Sequence, residues 1–261
     1  MRFLLALVSF ILAQAVDAAD AKSKTPRFLQ PTSLSGSIFP KSPTNAPALF
    51  TFRRTARLEG PSIIASREYL ARDGTVAANE TVQYEGDQLR RFVLEENQIN
   101  ARGSATFETT AGGKTLIRFE YETSSGTQRK KKSETETQSD VVLINDMIPG
   151  FITDHWQALT SGQSLRFRYA IIPRLETIAF TLRKIGQSEF SGRPVVEMQM
   201  RPASRLLQNF VDPIMFSAEL NTPHRILRYI GRTAPKVRHG RNWDDLDAVT
   251  IFDWKSATGI E

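Results

Sequence analysis

Apolar and polar residues alternate along most of the chain after Leu49, and this pattern predicts β-strands. Successive side chains in a strand point to opposite faces, so alternation gives one apolar and one polar face. The apolar positions of the first predicted strand share one parity: Phe50, Phe52, Ala56 and Leu58. Short turn motifs separate the next strands: Asp73-Gly74, Gly86-Asp87 and Gly112-Gly113. Strands joined by such turns form an antiparallel meander.

The period changes within residues 141–182. An apolar strand, VVLIND, is followed by MIPGFITDHWQALTSGQ and then by the alternating sequence SLRFRYAIIPRLETIAFTLRK. Four apolar residues of the middle part lie at helical spacing: Phe151, Ile152, Trp156 and Leu159. Pro149 fits the first turn of a helix, and Gly162 fits its end. The pattern therefore predicts a helix from Pro149 to Gly162, placed between strands.

Two other segments interrupt the strand pattern. The polar stretch 124–140 contains the basic run Arg129, Lys130, Lys131 and Lys132. We interpret it as a solvated loop, with a docking patch for an anionic surface as the alternative. The stretch SRLLQNFVDPIMF is helical or irregular and stops near Pro213, because a residue before proline is pushed away from helical angles.

These elements predict a mainly β fold: a curved antiparallel sheet, as a half-barrel or open barrel, with one or two covering helices. No linker-like composition follows the polar stretch, so residues 49–261 are expected to form a single β-rich domain. Residues 20–48 are rich in Pro, Ser, Thr and Lys and lack a sustained period. We expect them to form a flexible leader or an irregular arm across the domain.

The N-terminus has the pattern of a secretory signal peptide, which we place at residues 1–19. A positive start, Met1-Arg2, precedes an apolar run from Phe3 to Ala13, and small residues follow. A spanning helix needs about 20 apolar residues, so this run is too short to be one. The chain has no cysteine, which excludes disulfides, thiolate metal sites and a lipid-modified cysteine. We therefore expect a periplasmic or secreted protein without a transmembrane span in the mature chain.

The net charge of the chain indicates which kinds of partner to expect. It is formally +6, which suits contact with anionic lipid head groups, acidic polysaccharide or other acidic partners. No nucleic-acid-binding motif is recognised, so we expect no nucleic acid partner.

Candidates for catalysis or metal binding are weak. Three histidines lie far apart in the chain: His155, His224 and His239. Neither an HExxH nor a GxSxG motif is present, and Asp154 with His155 fits the polar face of a helix. Asp244, Asp245 and Asp247 lack the spacing and the glycine of a calcium loop, so we interpret them as a surface turn. We therefore assign no catalytic residue, no metal ligand and no cofactor.

An apolar surface is the strongest functional candidate. Aromatic and methionine side chains would line a groove, and arginine at its rim would pair with an anionic head group. The predicted ligand-binding residues are Trp156, Phe167, Tyr169, Phe180, Met198, Phe210 and Arg174. The alternative is that the same apolar residues fill a core, because a pocket and a core share this alternation.

The C-terminal half resembles a group of uncharacterised exported bacterial proteins of unknown function. The matching residues are Trp156, Leu159, Gly162, Pro173, Arg174, Val211, Asp212, Pro213 and Ile214. More loosely, the succession of strand, helix and strand is similar to the half-barrels of periplasmic lipoprotein carriers, in which a concave sheet holds acyl chains. That second resemblance rests on architecture and implies a carrier function only by analogy.

Three functional hypotheses follow. The first is an exported, non-catalytic binding or carrier protein for an amphipathic small molecule or a lipid-like ligand. The second is a structural or assembly factor of the cell envelope that docks a protein partner through its basic face. The third is a hydrolase built around Asp154 and His155. An open apolar cavity beneath the predicted helix, faced by Trp156, would favour the first hypothesis, and a filled core would count against it.

Overall fold

The fold is seen in a computed structural model, which describes residues 26–42 and 45–259. The predicted signal peptide, residues 1–19, lies outside these residues. The described strands are β1 (Ser33–Pro40), β2 (Phe50–Glu59), β3 (Ser62–Ala71), β4 (Val76–Glu85), β5 (Gln88–Glu96), β6 (Ala101–Thr109), β7 (Thr115–Ser125), β8 (Gln128–Gln138), β9 (Val142–Leu143), β10 (Leu165–Ile171), β11 (Glu176–Phe190), β12 (Arg193–Pro202), β13 (Ile214–Glu219), β14 (Ile226–His239) and β15 (Asn242–Thr258). The α-helices are α1 (Ile148–Asp154) and α2 (Trp156–Thr160).

The 15 strands form one curved, nearly closed, barrel-shaped sheet, which confirms the predicted mainly β fold. Neighbouring strands are consecutive in the chain from β1 to β8 and from β9 to β15, and β1 pairs with β15. The order is therefore an up-and-down ring with one seam, between β8 and β9. β9 and β10 are parallel because the two helices form a crossover between them.

The N-terminal segment differs from its prediction. A flexible leader is expected over residues 20–48, but Ser33–Pro40 form β1, which hydrogen-bonds to β2 on one side and β15 on the other. Leu34, Gly36 and Ile38 alternate as inward, buried positions. The prediction is therefore wrong for these residues, because the many small and polar residues hide the alternation of a strand.

The basic run 129–132 is also not a loop. It lies on β8, which is one edge of the sheet and pairs with β7. Nearly every side chain of β8 is exposed on both faces. The strand therefore lacks the apolar alternation by which a half-buried strand is recognised.

The predicted helix is present but divided. α1 ends at Asp154 and α2 begins at Trp156, and His155 between them has non-helical angles (φ −106°, ψ 19°). Pro149 lies in the first turn of α1, where its missing N–H leaves no hydrogen bond unmade. Gly162 follows α2 with a φ of 94°, the left-handed conformation that favours glycine after a helix.

Apolar side chains fill the interior in three clusters. One joins the inner faces of β2–β7 to Phe28 and to residues that flank the helices. Another packs α1 and α2 against the inner face of β10–β14. The third joins β1–β4 to β15. The helical segment therefore lies inside the curve of the sheet and brings the residues just before α1 into the interior.

Side chains hold the seam at one end. The Glu136 carboxylate of β8 accepts hydrogen bonds from the backbone N–H and the hydroxyl of Thr177 on β11, at 3.1 and 2.7 Å. Arg168 of β10 donates to the hydroxyl and carbonyl oxygens of Thr177, both at 2.5 Å. These contacts connect the free end of β8 to the other half of the ring.

Candidate functional site

Most of the predicted ligand-binding residues lie in a packed core. Phe167, Phe180 and Met198 are at most 4% exposed and belong to the cluster beneath the helices. Trp156 and Tyr169 pack against the same cluster. The structure thus brings these five residues together as core residues, and a role of theirs in ligand binding stays a prediction.

Trp156 fastens the helices to the turn after β13. Its ring stacks on that of His224, with centroids 3.8 Å apart and planes 12° from parallel. The Nδ1 of His224 lies 3.2 Å from the carbonyl oxygen of Glu219. Trp156 therefore does not line the interior cavity described below.

Phe210 and Arg174 lie apart from the other predicted residues. Phe210 is 79% exposed on the loop of residues 203–213, between β12 and β13. Arg174 lies in the turn between β10 and β11, where it pairs with exposed Glu176 at 2.5 Å. Neither side chain reaches the apolar interior.

The two residues of the hydrolase hypothesis face different partners. Asp154 forms an ion pair with Arg27 at 2.5 Å. The His155 ring packs on the ring of Phe151, and its Nδ1 lies 2.9 Å from the Phe151 carbonyl oxygen. No observed contact aligns Asp154 with His155 as an acid and base within the described residues.

The C-terminal aspartates differ from their prediction as well. They lie on β15 rather than in a surface turn, and each faces a side chain of β14. Asp245 forms ion pairs with Lys236 and Arg232, Asp247 forms one with Arg232, and the Asp244 carboxylate lies 2.7 Å from Nδ1 of His239. Cross-strand pairing therefore accounts for these three carboxylates. Among the described residues, no group of three or more acidic or histidine side chains could hold a metal ion.

A row of charged residues lies inside the sheet. Arg54 of β2, Arg67 of β3 and Glu80 of β4 are directly opposite one another on three adjacent strands. Each occupies an inward position, at the parity of apolar neighbours such as Phe52 and Ala65. This row was not predicted from the sequence, although a signal is present there: each of the three residues is charged and occupies a position where the alternation predicts an apolar side chain.

Each guanidinium nitrogen of Arg54 donates a hydrogen bond. Its Nε and Nη2 donate to the two carboxylate oxygens of Asp146, at 2.6 and 3.1 Å, which is a bidentate ion pair. Its Nη1 and Nη2 also donate to the carbonyl oxygens of Pro31 and Phe28, at 2.8 and 2.9 Å. The Tyr84 hydroxyl donates to Asp146 at 2.9 Å. This buried pair therefore fixes the segment before α1 to the sheet and to the N-terminal segment.

Arg67 is less well satisfied. Its Nη1 lies 3.4 Å from Glu80 and its Nη2 lies 3.5 Å from Asp146, whereas charged hydrogen bonds of this kind are usually about 2.7–2.9 Å. Its buried Nε has no hydrogen-bond partner in the described part of the chain. The guanidinium lies 5.6 Å from the centre of the Phe52 ring. Arg67 is therefore a largely buried cation, and its Nε donor has no acceptor among the described residues.

Neutral side chains complete the cluster around Glu80. The Tyr69 hydroxyl donates to one carboxylate oxygen at 3.2 Å, and the Asn145 amide donates to the other at 3.4 Å. The Tyr169 hydroxyl donates to the Asn145 side-chain oxygen. Tyr169 thus belongs to this polar cluster as well as to the apolar core.

The two interior carboxylates differ in acidity. Burial opposes ionisation of Asp146, but the ion pair with Arg54, the nearby Arg67 and the Tyr84 hydroxyl together outweigh burial and lower the pKa of Asp146 to about 2. Burial raises the pKa of Glu80, and the more distant Arg67 only partly offsets this effect. Asp146 therefore stays ionised to a lower pH than an exposed aspartate, whereas Glu80 keeps its proton to a higher pH than an exposed glutamate.

A cavity of about 70 Å³ lies beside the cluster. Its apolar wall comprises Phe52, Ile148, Pro149, Phe216, Ile226 and Phe252. Its polar side chains are those of Arg67, Tyr69, Asn145, Tyr229, Arg232, Thr233 and Thr250. The start of α1 therefore covers a small space that is mostly apolar and is bordered by two cations, Arg67 and Arg232.

The cavity reaches the surface beside Arg232, whose side chain is half exposed. Arg232 donates to Asp247 at 2.9 Å, Asp247 lies 4.0 Å from Lys41, and Lys41 pairs with Asp212 at 3.1 Å. Asp212 belongs to the loop of residues 203–213, which also exposes Phe210. A chain of alternating charges thus links the mouth of the cavity to this loop.

No protein-family model matches the chain, and no match was found among curated proteins or solved structures. The resemblance to exported bacterial proteins therefore stays a prediction. Within residues 26–42 and 45–259, none of the helices is long and apolar enough to cross a membrane. The cavity and its buried charges are thus the basis for a functional proposal.

Proposed function

We propose that the protein is a non-catalytic binding protein for an amphipathic ligand, one end of which enters the interior cavity. One observation carries this proposal: aromatic and aliphatic walls adjoin Arg67, a cation whose Nε has no partner in the described chain. Apolar walls with a few placed polar groups are typical of small-molecule sites. In this proposal the protein acts in the periplasm or outside the cell, after removal of residues 1–19.

The size of the cavity limits what enters it. Sites for whole small molecules usually measure about 300–1,000 Å³, and about 150 Å³ is enough for benzene. A cavity of about 70 Å³ accepts a head group or a chain end. The remainder of the ligand lies in the mouth beside Arg232 and Thr233. Filling the cavity should therefore abolish binding.

Replacement of Ile148 by phenylalanine tests the proposal. Ile148 is buried and lines the cavity, so the larger ring has empty space to enter. Ile152 lies one turn further along α1 and is fully buried, but it is not part of the cavity wall. The Ile152→Phe control should therefore overpack the core and lose about 1–3 kcal/mol of stability.

The measurement is binding of two eight-carbon probes, octanoate and octanol, by isothermal titration calorimetry and native mass spectrometry. We expect the wild type and folded Ile152→Phe protein to bind at least one probe. Ile148→Phe should keep the wild-type melting temperature and lose binding. The proposal is refuted if the wild type binds neither probe, or if folded Ile148→Phe binds as well as the wild type.

A second candidate function is that of an envelope structural or assembly factor that docks a protein partner at β8. The outer edge of β8 has no strand partner in the described part of the chain. Lys130 and Lys132 share one face of β8, where no described carboxylate lies within 4.0 Å of either, whereas Lys131 on the other face pairs with Glu120 at 2.8 Å. An extended acidic segment would complement such an edge by adding a strand.

Lysines on an edge strand also hinder unwanted strand pairing, so the test has to detect pairing itself. The probe is a synthetic peptide of alternating glutamate and valine, and the measurement is amide hydrogen exchange of β8. We expect the peptide to protect β8 in the wild type and not in a variant with residues 129–132 changed to glutamine. The control changes four other exposed arginines to glutamine: Arg53, Arg57, Arg102 and Arg118. Equal protection in all three proteins, or in none, would exclude this function.

A further inference from the structure

The polar side of the cavity indicates which head group the ligand carries. We propose that the cavity selects a carboxylate, which the guanidinium of Arg67 binds. This inference rests on the proposed function above, because it names the chemical class of the ligand for the same cavity.

The two interior arginines differ in their hydrogen bonds, and the difference favours Arg67 as the residue that binds the carboxylate of the ligand. Arg54 has a bidentate carboxylate partner and two backbone carbonyl partners within 3.1 Å, so each of its guanidinium nitrogens has a partner, and it is not part of the cavity wall. Arg67 lines the cavity, its nearest carboxylate oxygens are 3.4 and 3.5 Å away, and its Nε is buried without a partner among the described residues. A buried donor without a partner is costly. A carboxylate that reaches this guanidinium from the cavity would supply a closer acceptor than Glu80 at 3.4 Å or Asp146 at 3.5 Å.

A carboxylate fits this position better than other head groups. The guanidinium fork matches the two oxygens of a carboxylate, whereas an alcohol offers a single weaker acceptor and an ammonium group offers none. A phosphate is larger and carries more charge, so the nearby carboxylates of Asp146 and Glu80 would repel it more strongly than they repel a carboxylate. The cavity of about 70 Å³ also favours a small planar head.

Glu80 is the intramolecular competitor of the ligand. Its carboxylate approaches the same guanidinium from the sheet, at 3.4 Å from Nη1. Replacement of Glu80 by glutamine keeps the shape of the side chain and removes its charge. It should therefore strengthen binding of a carboxylate and leave binding of an uncharged ligand unchanged.

Four probes with the same eight-carbon chain distinguish the head groups: octanoate, octanol, octylamine and octyl phosphate. Their dissociation constants are measured at pH 7 by calorimetry for the wild type and for Arg67→Gln, Glu80→Gln and Arg57→Gln. Arg57→Gln is the matched control, because Arg57 is an exposed arginine on the outer face of β2 and its loss changes the net charge equally. Circular dichroism and the melting temperature report whether each variant is folded.

We expect the wild type to bind octanoate most tightly of the four probes. Arg67→Gln should weaken octanoate binding by about tenfold or more, the size expected for a lost charged hydrogen bond. Arg57→Gln should leave it unchanged. Glu80→Gln should tighten octanoate binding by about threefold or more, since it removes a like charge near the head group. This gain keeps the proposal testable even where Arg67→Gln fails to fold.

Other outcomes separate this inference from the proposed function. Equal affinity for octanoate and octanol would overturn the carboxylate assignment and leave a binding protein for apolar chains. Tighter binding of octyl phosphate or octylamine would overturn it too. Absence of binding of both octanoate and octanol would overturn the proposed function together with this inference. Weaker octanoate binding by Glu80→Gln would show that Glu80 supports the ligand rather than competing with it, and would overturn the proposed geometry.

Discussion

Single charged residues in the interior determine how the fold responds to acid. Burial alone would raise the pKa of Asp146, but the combined effect of Arg54, Arg67 and the Tyr84 hydroxyl lowers it from 3.8 to about 2. A carboxylate with a lowered folded-state pKa adds stability that is complete above its unfolded-state pKa. That stability is lost as the pH falls through the folded-state value. The difference corresponds to about 2 kcal/mol.

We predict that Asp146→Asn removes this part of the acid sensitivity. The wild type should lose about 2 kcal/mol through this group between about pH 4 and about pH 2, and the variant should not. At pH 7 the variant should be about 3–5 kcal/mol less stable, because Arg54 is left buried without its anion. Urea unfolding at a series of pH values measures both effects. Asp87→Asn, a change of an exposed aspartate, is the control, and equal pH slopes for Asp146→Asn and the wild type would contradict the prediction.

The interior charges were only partly predictable from the sequence. Arg54, Arg67 and Glu80 interrupt the apolar parity of three consecutive strands, so their inward direction follows from the alternation. Their alignment in one row depends on the strand register, which the hairpin turns set and the alternation alone does not. Asp146 lies outside the strands, and its place beside Arg54 arises from the tertiary position of the segment before α1.

Among the elements, β1 shows how composition can conceal a strand. Its sequence, SLSGSIFP, contains several small residues, yet it lies between β2 and β15 and provides Leu34 and Ile38 to the core. Gly36 faces inward between them. A Cβ atom there would collide with the carbonyl oxygen of Ile251 and with the ring of Phe52. The glycine therefore permits the close approach of three strands.

We predict that Gly36→Ala destabilises the protein by about 1–3 kcal/mol, because the backbone of β15 and a buried ring would have to shift. Ser37→Ala is the control: Ser37 is the next residue of the same strand and points to the other face. It should change stability by less than about 0.5 kcal/mol. Denaturant unfolding of the two variants measures the difference. If residues 33–40 were a flexible leader, both variants would match the wild type.

The strands and helices that the sequence predicted correctly are those bounded by turn motifs or those with one apolar face. The turns at Gly74, Gly86 and Gly113 all have positive φ and join consecutive strands, as their motifs predicted. β8 was missed because an edge strand exposed on both faces needs no apolar alternation. The break at His155 was also missed, because the apolar spacing of α1 and α2 is continuous across it.

At the scale of the whole molecule, the sheet is a ring that the chain itself closes at β1 and β15 and leaves open at β8 and β9. A curved antiparallel sheet with short helices followed from the sequence pattern. Its near closure did not, because it depends on contacts between strands that are far apart in the chain. Thr177 provides such a contact: its N–H and hydroxyl donate to Glu136, 41 residues earlier.

We predict that Glu136→Ala opens the seam locally. The end of β8 would lose its hydrogen bonds to Thr177, worth about 1–2 kcal/mol for a partly exposed carboxylate acceptor. Glu134→Ala is the matched control, because Glu134 lies on the same face of β8, two residues away, and is exposed. Amide hydrogen exchange should speed up along β8 in Glu136→Ala alone, while exchange in β2–β5 stays at the wild-type rate.

If β8 exchanges equally in the two variants, the seam is held by the β7–β8 pairing and not by Glu136. Faster exchange throughout β2–β5 in Glu136→Ala would instead mean that the seam supports the stability of the entire ring.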